Sequence, residues 1–407
     1  MQSQRSFNAE IRVAVLAPLH LSFARSTLYG IAKAARAHLA AGTAAASGSA
    51  AAPWNVMVLS SIANDQDNEI TRPLREFKPD AILARMDTPM LRAMLLRYAV
   101  PTVELFQTQS VAGCPGVSLN EEWIGRLAAE HFLDRGFEAF AIFGDMAFAW
   151  SQQRSAGLKK ALAAPETDAD VGRSTPRIVA EFGQAHTAPS HTIAQWLSTL
   201  PRPVAVFATN DLFAARLLAV ARTLDIRVPD ELAVLGVDDD EFLCLFSSPP
   251  LSSVQTGLEH LGAAAVGVLE RLLAGETVAP QTVVPPRGVI TRQSTDMLAV
   301  QDTGVAAAIK FIRQRRDTRI TVDDVARQVA LNRRVLERKF TQVLGRSILH
   351  EIHRARAERI KELLRTDLSQ EQIAYMSEFS SAQRMVRLFK QVTGITPGEY
   401  RHLHGKL

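Results

Sequence analysis

The last eighty or so residues contain the same device twice, and this duplication constrains the fold more than any other feature of the chain. TVDDVARQVALNRRVLERKFTQVLG (321–345) and SQEQIAYMSEFSSAQRMVRLFKQVTG (369–394) each begin with a short run of apolar residues at helical spacing. Val322, Val325 and Val329 mark that run in the first copy, and Ile373, Ala374 and Met376 in the second. After a break, a capping residue (Asn332 or Ser380) opens a second amphipathic helix, and Gly345 or Gly394 stands where a left-handed turn would end it. Helix, tight turn and helix describe a helix-turn-helix.

The outward face of each second helix is basic. Arg333, Arg334, Glu337, Arg338 and Lys339 decorate the first, leaving Val335, Leu336, Phe340 and Val343 to pack inward. Gln383, Arg384, Arg387 and Lys390 decorate the second, with Met385, Leu388 and Phe389 inward. Arginine can bond guanine through two donors, and glutamine can bond adenine through one donor and one acceptor, while further cations hold phosphates. One solvated helix face has the same composition, so the distribution of charge decides. Residues 309–407 carry 21 Lys and Arg against 11 Asp and Glu, a net of +10 in a chain of net +4, which leaves −6 elsewhere. Positive charge gathered around two such helices points to DNA.

The stretch resembles the AraC-type DNA-binding domain, in which two helix-turn-helix units are joined by one long helix. That helix would be ILHEIHRARAERIKELLR (348–365), and FKQVTGITPGEYR (389–401) is similar to the family's C-terminal signature. By position the resemblance implies base-reading roles for Arg334, Glu337, Arg338, Gln383 and Arg387. Two departures stand out. Glu378 occupies a position where the family usually has Gly, and Arg384 with Met385 replace the usual Tyr-Phe, which adds Arg384 as a candidate phosphate contact.

The remainder of the chain alternates. Strand signals at Ile11–Pro18, Trp54–Ser60, Ala81–Ala84, Thr102–Glu104, Val117–Leu119 and Ala139–Phe143 recur at Arg177–Glu181, Val204–Ala208, Leu232–Val237 and Val254. Helical stretches lie between several of them, the first at Ser26–Ala37 with Leu28, Ile31 and Ala35 inward. Ala40–Pro53 is low-complexity Ala, Gly and Ser and reads as a surface loop or a fraying helix end. Strands alternating with helices predict a doubly wound α/β fold, and about 280 residues of it predict two similar lobes.

Ligands of such folds bind beyond the carboxyl ends of the strands. The residues there include Leu19, His20, Asp87, Glu104, Gly144–Trp150, Asn210, Asp211, Asp238 and Asp239. A polyhydroxylated ligand needs polar side chains that accept and donate, and an aromatic ring against its apolar face. Trp150, Arg154, Asn210 and Asp238 supply that set. Each taken singly also fits a plainer role: a cap, a turn, a surface ion pair or a core ring.

RSAGLKKAL (from Arg154), FATNDLFAARLL (from Phe207) and VLGVDDDEF (from Val234) resemble, in order and spacing, segments of the sugar-binding core of LacI-type repressors and type I periplasmic binding proteins. The resemblance implies effector contacts at Arg154, Asn210 and Asp238, with Trp150 favouring a pentose such as xylose; Asp87, one of the strand-end residues, is a further candidate from the opposite lobe. LacI-type N-terminal DNA-binding helices are not expected ahead of a first strand at Ile11, and the AraC-type module at the other end is expected to take their place. The expected organisation is an effector-binding and dimerisation domain over 1–293, a linker over 294–308 and a DNA-binding domain over 309–407. Lobe 1 is expected over about 11–138 and 252–283, and lobe 2 over 139–251 and 284–293.

Other function classes find little support. Cys114 in GCPG is followed by Pro115, which has no N–H to donate to an oxyanion. Asp238, Asp239, Asp240 and Glu241 form an acidic run without the alternating spacing of a calcium loop. Scattered histidines, two distant cysteines and the absence of Walker A or GxGxxG sequences give no catalytic, metal or cofactor motif. No apolar run approaches the roughly 20 residues needed to span a bilayer, and the polar N-terminus has no signal-peptide shape, so a cytoplasmic protein is expected.

The expected mechanism is a regulator in which a small sugar closes two lobes and resets the DNA-binding modules of a homodimer on double-stranded operator DNA. The expected result is activation of sugar-use genes with RNA polymerase as partner. Two alternatives stay open: a ligand-free dimerisation scaffold (or one with a non-sugar effector) and an α/β enzyme carrying a DNA-binding tail.

Overall fold

A computed structural model describes residues 10–44, 53–60, 67–108, 111–163, 176–297, 302–344, 346–364, 366, 368–393 and 395–404. The chain opens with β1 (Ile11–Ala17), α1 (Ser22–Ala44), β2 (Trp54–Ser60), α2 (Asp67–Phe77), β3 (Ala81–Ala84), α3 (Pro89–Leu96), β4 (Thr102–Leu105) and β5 (Gly116–Leu119). After α4 (Glu121–Leu133) it builds β6 (Ala139–Phe143), α5 (Ala149–Leu162), β7 (Arg177–Phe182), α6 (Ser190–Thr199), β8 (Val204–Ala208), α7 (Asp211–Thr223), β9 (Leu232–Val237), α8 (Glu241–Phe246) and β10 (Ser252–Gln255). It returns through α9 (Leu258–Leu273) and β11 (Gln281–Val284), and then adds β12 (Gly288–Ile290) and a 3-10 turn, Gln293–Thr295.

Two six-stranded sheets result, ordered β2-β1-β3-β4-β5-β11 and β7-β6-β8-β9-β10-β12. All pairings are parallel except β10 with β12. Strands buried on both faces read as continuous apolar runs, and β1, β8 and β9 do so: Val13–Leu16, Val204–Ala208 and Leu232–Leu235 are all buried.

Contacts divide the chain into one unit of 1–120 with 256–286 and a second of 121–255 with 287–407. The first segment of the first unit thus ends at Asn120, and α4 belongs to the second unit. Each unit contains a pair of helices crossing on glycines. In the first, a methyl group on Gly30 of α1 would overlap the Glu259 carbonyl of α9, and one on Gly262 would overlap that of Thr27. In the second, Gly125 of α4 and Gly157 of α5 stand in the same way against the carbonyls of Arg154 and Glu122. Only a residue without a Cβ permits so close a backbone approach.

The C-terminal helices are α10 (Thr303–Gln314), α11 (Val322–Gln328), α12 (Arg333–Leu344), α13 (Ile348–Leu364), α14 (Gln370–Met376), α15 (Ala382–Thr393) and α16 (Pro397–His404). They form two small cores that share α13: Val305, Ile309, Val325, Leu336, Phe340 and Ile352 in one, and Ile360, Ile373, Met385, Phe389 and Tyr400 in the other. The duplication extends to the caps. Thr321 and Asp324 form a reciprocal capping box at α11, as Ser369 and Gln372 do at α14.

Asn332 opens α12 as expected, its Oδ1 accepting from Arg334 N at 2.9 Å. At α15 the cap is Ser381 rather than Ser380: Ser381 Oγ accepts from Arg384 N at 3.3 Å. Two adjacent serines offer the same chemistry, and the turn sets which of them faces the helix. Met376, expected inward, is 46% exposed, because α14 ends there and only Ile373 and Ala374 reach the core. Gly345, Gly394 and most of Ala40–Pro53 lie outside the described residues.

Candidate effector-binding and DNA-binding sites

Arg154 sits on the buried face of α5. Its Nε donates to Glu121 Oε2 at 2.6 Å, Nη1 to the Thr209 carbonyl at 2.7 Å and Nη2 to Asp238 Oδ1 at 3.3 Å. The guanidinium also lies 5.0 Å from the centre of the Trp150 ring. Burial works against this charge, and Glu121 and Asp238 more than offset it, so the Arg154 pKa is raised. Trp150 also stacks with Phe148 (5.5 Å) and with Phe213 (6.2 Å).

Asp238 follows β9 with φ of +105°, a backbone conformation that L side chains rarely adopt. Burial pushes its carboxyl up to about 6 against the opposing pull of Arg154. Asn210, the residue before α7, caps that helix, accepting from Phe213 N at 2.8 Å. Its neighbour Asp211 is buried and held well above the usual carboxylate range by burial and by Asp238. Asp211 accepts from Ser253 Oγ at 2.6 Å and from Asp240 N at 2.7 Å, which ties the strand ends together.

The acidic run is divided among separate tasks. Asp238 meets Arg154, Asp239 pairs with Arg292 Nη2 at 2.8 Å, and Asp240 caps α8. Among the described residues no group of His, Cys, Asp or Glu forms a metal cluster.

The structure therefore brings Trp150, Arg154 and Asp238 into contact and sets Asn210 next to Thr209, whose carbonyl Arg154 holds. Asp87 belongs to the first unit, where it accepts from Arg85 Nε at 2.6 Å. The Arg85 guanidinium lies 4.8 Å from the Phe23 ring centre and 5.5 Å from that of Phe106. The sequence reading missed Glu121, the nearest partner of Arg154, and the flanking rings of Phe148 and Phe213. Glu121 looks like an ordinary acidic first-turn residue, and only the crossing of α4 on α5 gives it this role. Cys114, the nucleophile of the enzymatic alternative, is buried, and burial first, with Glu104 adding to it, pushes its thiol up to about 11. Such a thiol is inert near neutral pH.

In the C-terminal domain, Arg334, Arg338, Gln383, Arg384 and Arg387 are exposed along α12 and α15. Glu337 is tied to Arg333 (3.0 Å), which also reaches Asp323 at 3.3 Å. Lys339 pairs with Asp302, the cap of α10, at 2.6 Å and so turns back into its own domain. Both turns use a left-handed residue, Ala330 at φ +53° and Glu378 at φ +51°. The position where the related domains usually have Gly is therefore left-handed here as well. Glu378 occupies it with its carboxylate accepting from Arg319 N at 2.8 Å, while Arg356 donates to the Ser377 carbonyl at 2.7 Å and covers the Phe379 ring.

Among the described residues no helix is long and apolar enough to cross a membrane. Residues 129–295 match the periplasmic binding protein-like domain family, and residues 325–402 match a helix-turn-helix domain family. The chain is 28% identical over 343 residues to the xylose operon regulatory protein of Escherichia coli (strain K12), covering 82% of this chain and 86% of that one. It is 27% identical to the protein of the same name from Haemophilus influenzae, covering 86% and 90%. Among solved structures it resembles that of the xylose-binding transcription activator XylR, with a TM-score of 0.58 and 25% identity over 98% of this chain and all of that one. The chain thus joins a periplasmic binding protein-like domain to a C-terminal helix-turn-helix domain, and along most of its length it is similar to the xylose operon regulatory proteins.

Proposed function

We propose that this protein is a transcription regulator whose binding to duplex operator DNA is governed by a small sugar, a pentose such as xylose. The observation that carries the reading is the presence, in one chain, of a buried Arg154–Asp238 pair beside the Trp150 ring and of two capped helix-turn-helix units. A guanidinium, a carboxylate and a carboxamide match the hydroxyls of a sugar, and an indole covers its apolar face. In this reading Arg154, Asp238 and Asn210 bond the sugar, Trp150 lies against it, and Asp87 is a further acceptor. Arg334, Arg338, Gln383 and Arg387 read bases, Arg384 holds phosphate, and Glu337 orients Arg333 or reads a base itself.

The protein acts as a homodimer in the cytoplasm, carrying two reading helices per subunit into major-groove segments about 34 Å apart. It activates sugar-use genes through contact with RNA polymerase. The sugar shifts the equilibrium between arrangements of the chain by its differential affinity for them.

The test is a thermal-shift panel of pentoses, hexoses and uronic acids on the purified chain. A ligand at about 100 times its Kd adds roughly 2.7 kcal/mol to the folded state. One sugar is expected to raise Tm in the wild type and not in Asp238→Ala. No shift with any sugar would contradict the reading.

A further inference from the structure

Helix α4 is held at both ends by arginines from other elements. At its first residue, Glu121 takes the Nε of Arg154 at 2.6 Å, and both side chains are largely buried. Just past its last turn, Asp134 meets three arginines of the C-terminal domain. Arg313 of α10 and Arg346 ahead of α13 donate to the Asp134 carbonyl at 3.4 and 3.2 Å, and Arg354 of α13 pairs with the Asp134 carboxylate.

The carbonyl end of a helix attracts cations, which explains why guanidinium groups gather there. Three of them at one residue also repel each other. Burial lowers the pKa of Arg313 and Arg354, while Glu351, 2.8 Å from Arg346 Nε, and Glu358 and Glu130 beside Arg354 oppose that shift. Asp134 is the residue on which the three guanidinium groups converge.

Between the two ends α4 has little freedom to bend independently. Gly125 and Gly157 set its backbone directly against α5, the helix that carries Arg154. On the last turn, His131 Nε2 lies 2.9 Å from Thr295 Oγ1, and Arg135 donates to the Thr295 carbonyl at 2.8 Å and to Thr291 Oγ1 at 3.1 Å. These bonds fix the segment that leads into the C-terminal domain. A helix of this length spans about 20 Å.

We infer that α4 is the lever of this protein: a change in the bonding of Arg154 reaches Glu121, moves α4 as a rigid rod, and is delivered to the helix-turn-helix domain through the arginine clamp on Asp134. The inference rests on the reading of Arg154 as an effector contact. Arg154 divides its donors among Glu121, Thr209 and Asp238, so a hydroxyl that engages Asp238 or the guanidinium redistributes the bond to α4. Coupling of this kind is reciprocal and is measured as a non-additive effect of changes at its two ends.

Amide hydrogen exchange on the full chain tests the lever without any ligand. Glu121→Gln is expected to raise exchange in α10 and α13 at least threefold. In an Asp134→Asn background the same substitution is expected to change α5 but add nothing in α10 and α13. Glu121→Asp, which keeps the charge on a shorter arm, replaces Glu121→Gln if that variant fails to fold. Unchanged exchange in α10 and α13, or equal increases in both backgrounds, would overturn the lever. A second arm adds saturating D-xylose, which is expected to alter α10 and α13 in the wild type and not in Asp134→Asn. If D-xylose does not bind the wild type, the choice of xylose as effector fails at that point and the ligand-free cycle alone decides the lever.

Discussion

Arg154 is bound more closely to Glu121 than to Asp238: the Nε–Oε2 distance is 2.6 Å and the Nη2–Oδ1 distance 3.3 Å. Removing one partner of a buried pair leaves the other charge uncompensated, at a cost of about 3–5 kcal/mol. Glu121→Ala leaves Arg154 with Asp238 and the Thr209 carbonyl, so its expected loss in urea unfolding is a part of that, about 1.5–3 kcal/mol. Asp238→Ala, which leaves Glu121 in place, is expected to lose clearly less stability and far more sugar affinity. Equal stability losses for the two variants would contradict this division of roles.

Asp238 also gives the fold a pH dependence. Its folded-state pKa of about 6 stands above its ordinary value, so the folded chain binds this proton more tightly than the unfolded chain. Stability rises with pH only where the unfolded state binds more protons. Here the reverse holds, and the contribution of Asp238 is fully present below about pH 4 and is lost as pH rises to about 6. Buried Asp211, whose pKa is also raised, acts in the same direction. Asp238→Asn should remove the Asp238 part, so the stability difference between variant and wild type should move in the variant's favour from pH 4 to pH 7 and level off above. Denaturant melts across that range check the sign.

The two left-handed turn residues predict opposite balances of backbone and side chain. Ala330 at φ +53° makes no side-chain hydrogen bond, and Ala330→Gly should stabilise the domain by about 0.5–1 kcal/mol. Glu378→Gly gains the same backbone relief but loses the bond to Arg319 N, so its net gain should be smaller or absent. Thermal unfolding of the two variants measures the difference.

On DNA, Arg338→Ala should cost about 1–3 kcal/mol and relax preference at one base position. Lys339→Ala should change DNA affinity little, because Lys339 is paired with the Asp302 cap. Titrations at one fixed salt concentration, with single-base operator variants, separate the two outcomes.

Local patterns carried most of the architecture. The alternation of apolar strands with helices located the strands of both sheets up to β10, and the duplicated sequence of apolar run, break and basic helix located the two helix-turn-helix units. What local pattern could not carry was contact between distant segments. β11 and β12 are short, and the first is half exposed, so neither stands out as a buried run. The dependence of Arg154 on Glu121 arises from 33 residues away through a glycine crossing, and the clamp on Asp134 joins residues up to 220 apart. Trp150 and Asp238 drew attention because they follow strand ends and Arg154 because it opens the segment RSAGLKKAL, whereas Glu121 was hidden because a first-turn carboxylate is commonplace.

The central claim is that a sugar governs DNA binding, and its most direct measurement is the affinity of the full chain for its promoter DNA with and without saturating D-xylose. Allosteric coupling energies of about 1–3 kcal/mol correspond to changes of roughly 5- to 150-fold. The account predicts a change of at least fivefold in the wild type and none in Asp238→Ala. Equal affinities in the wild type, with D-xylose shown to be bound, would contradict it.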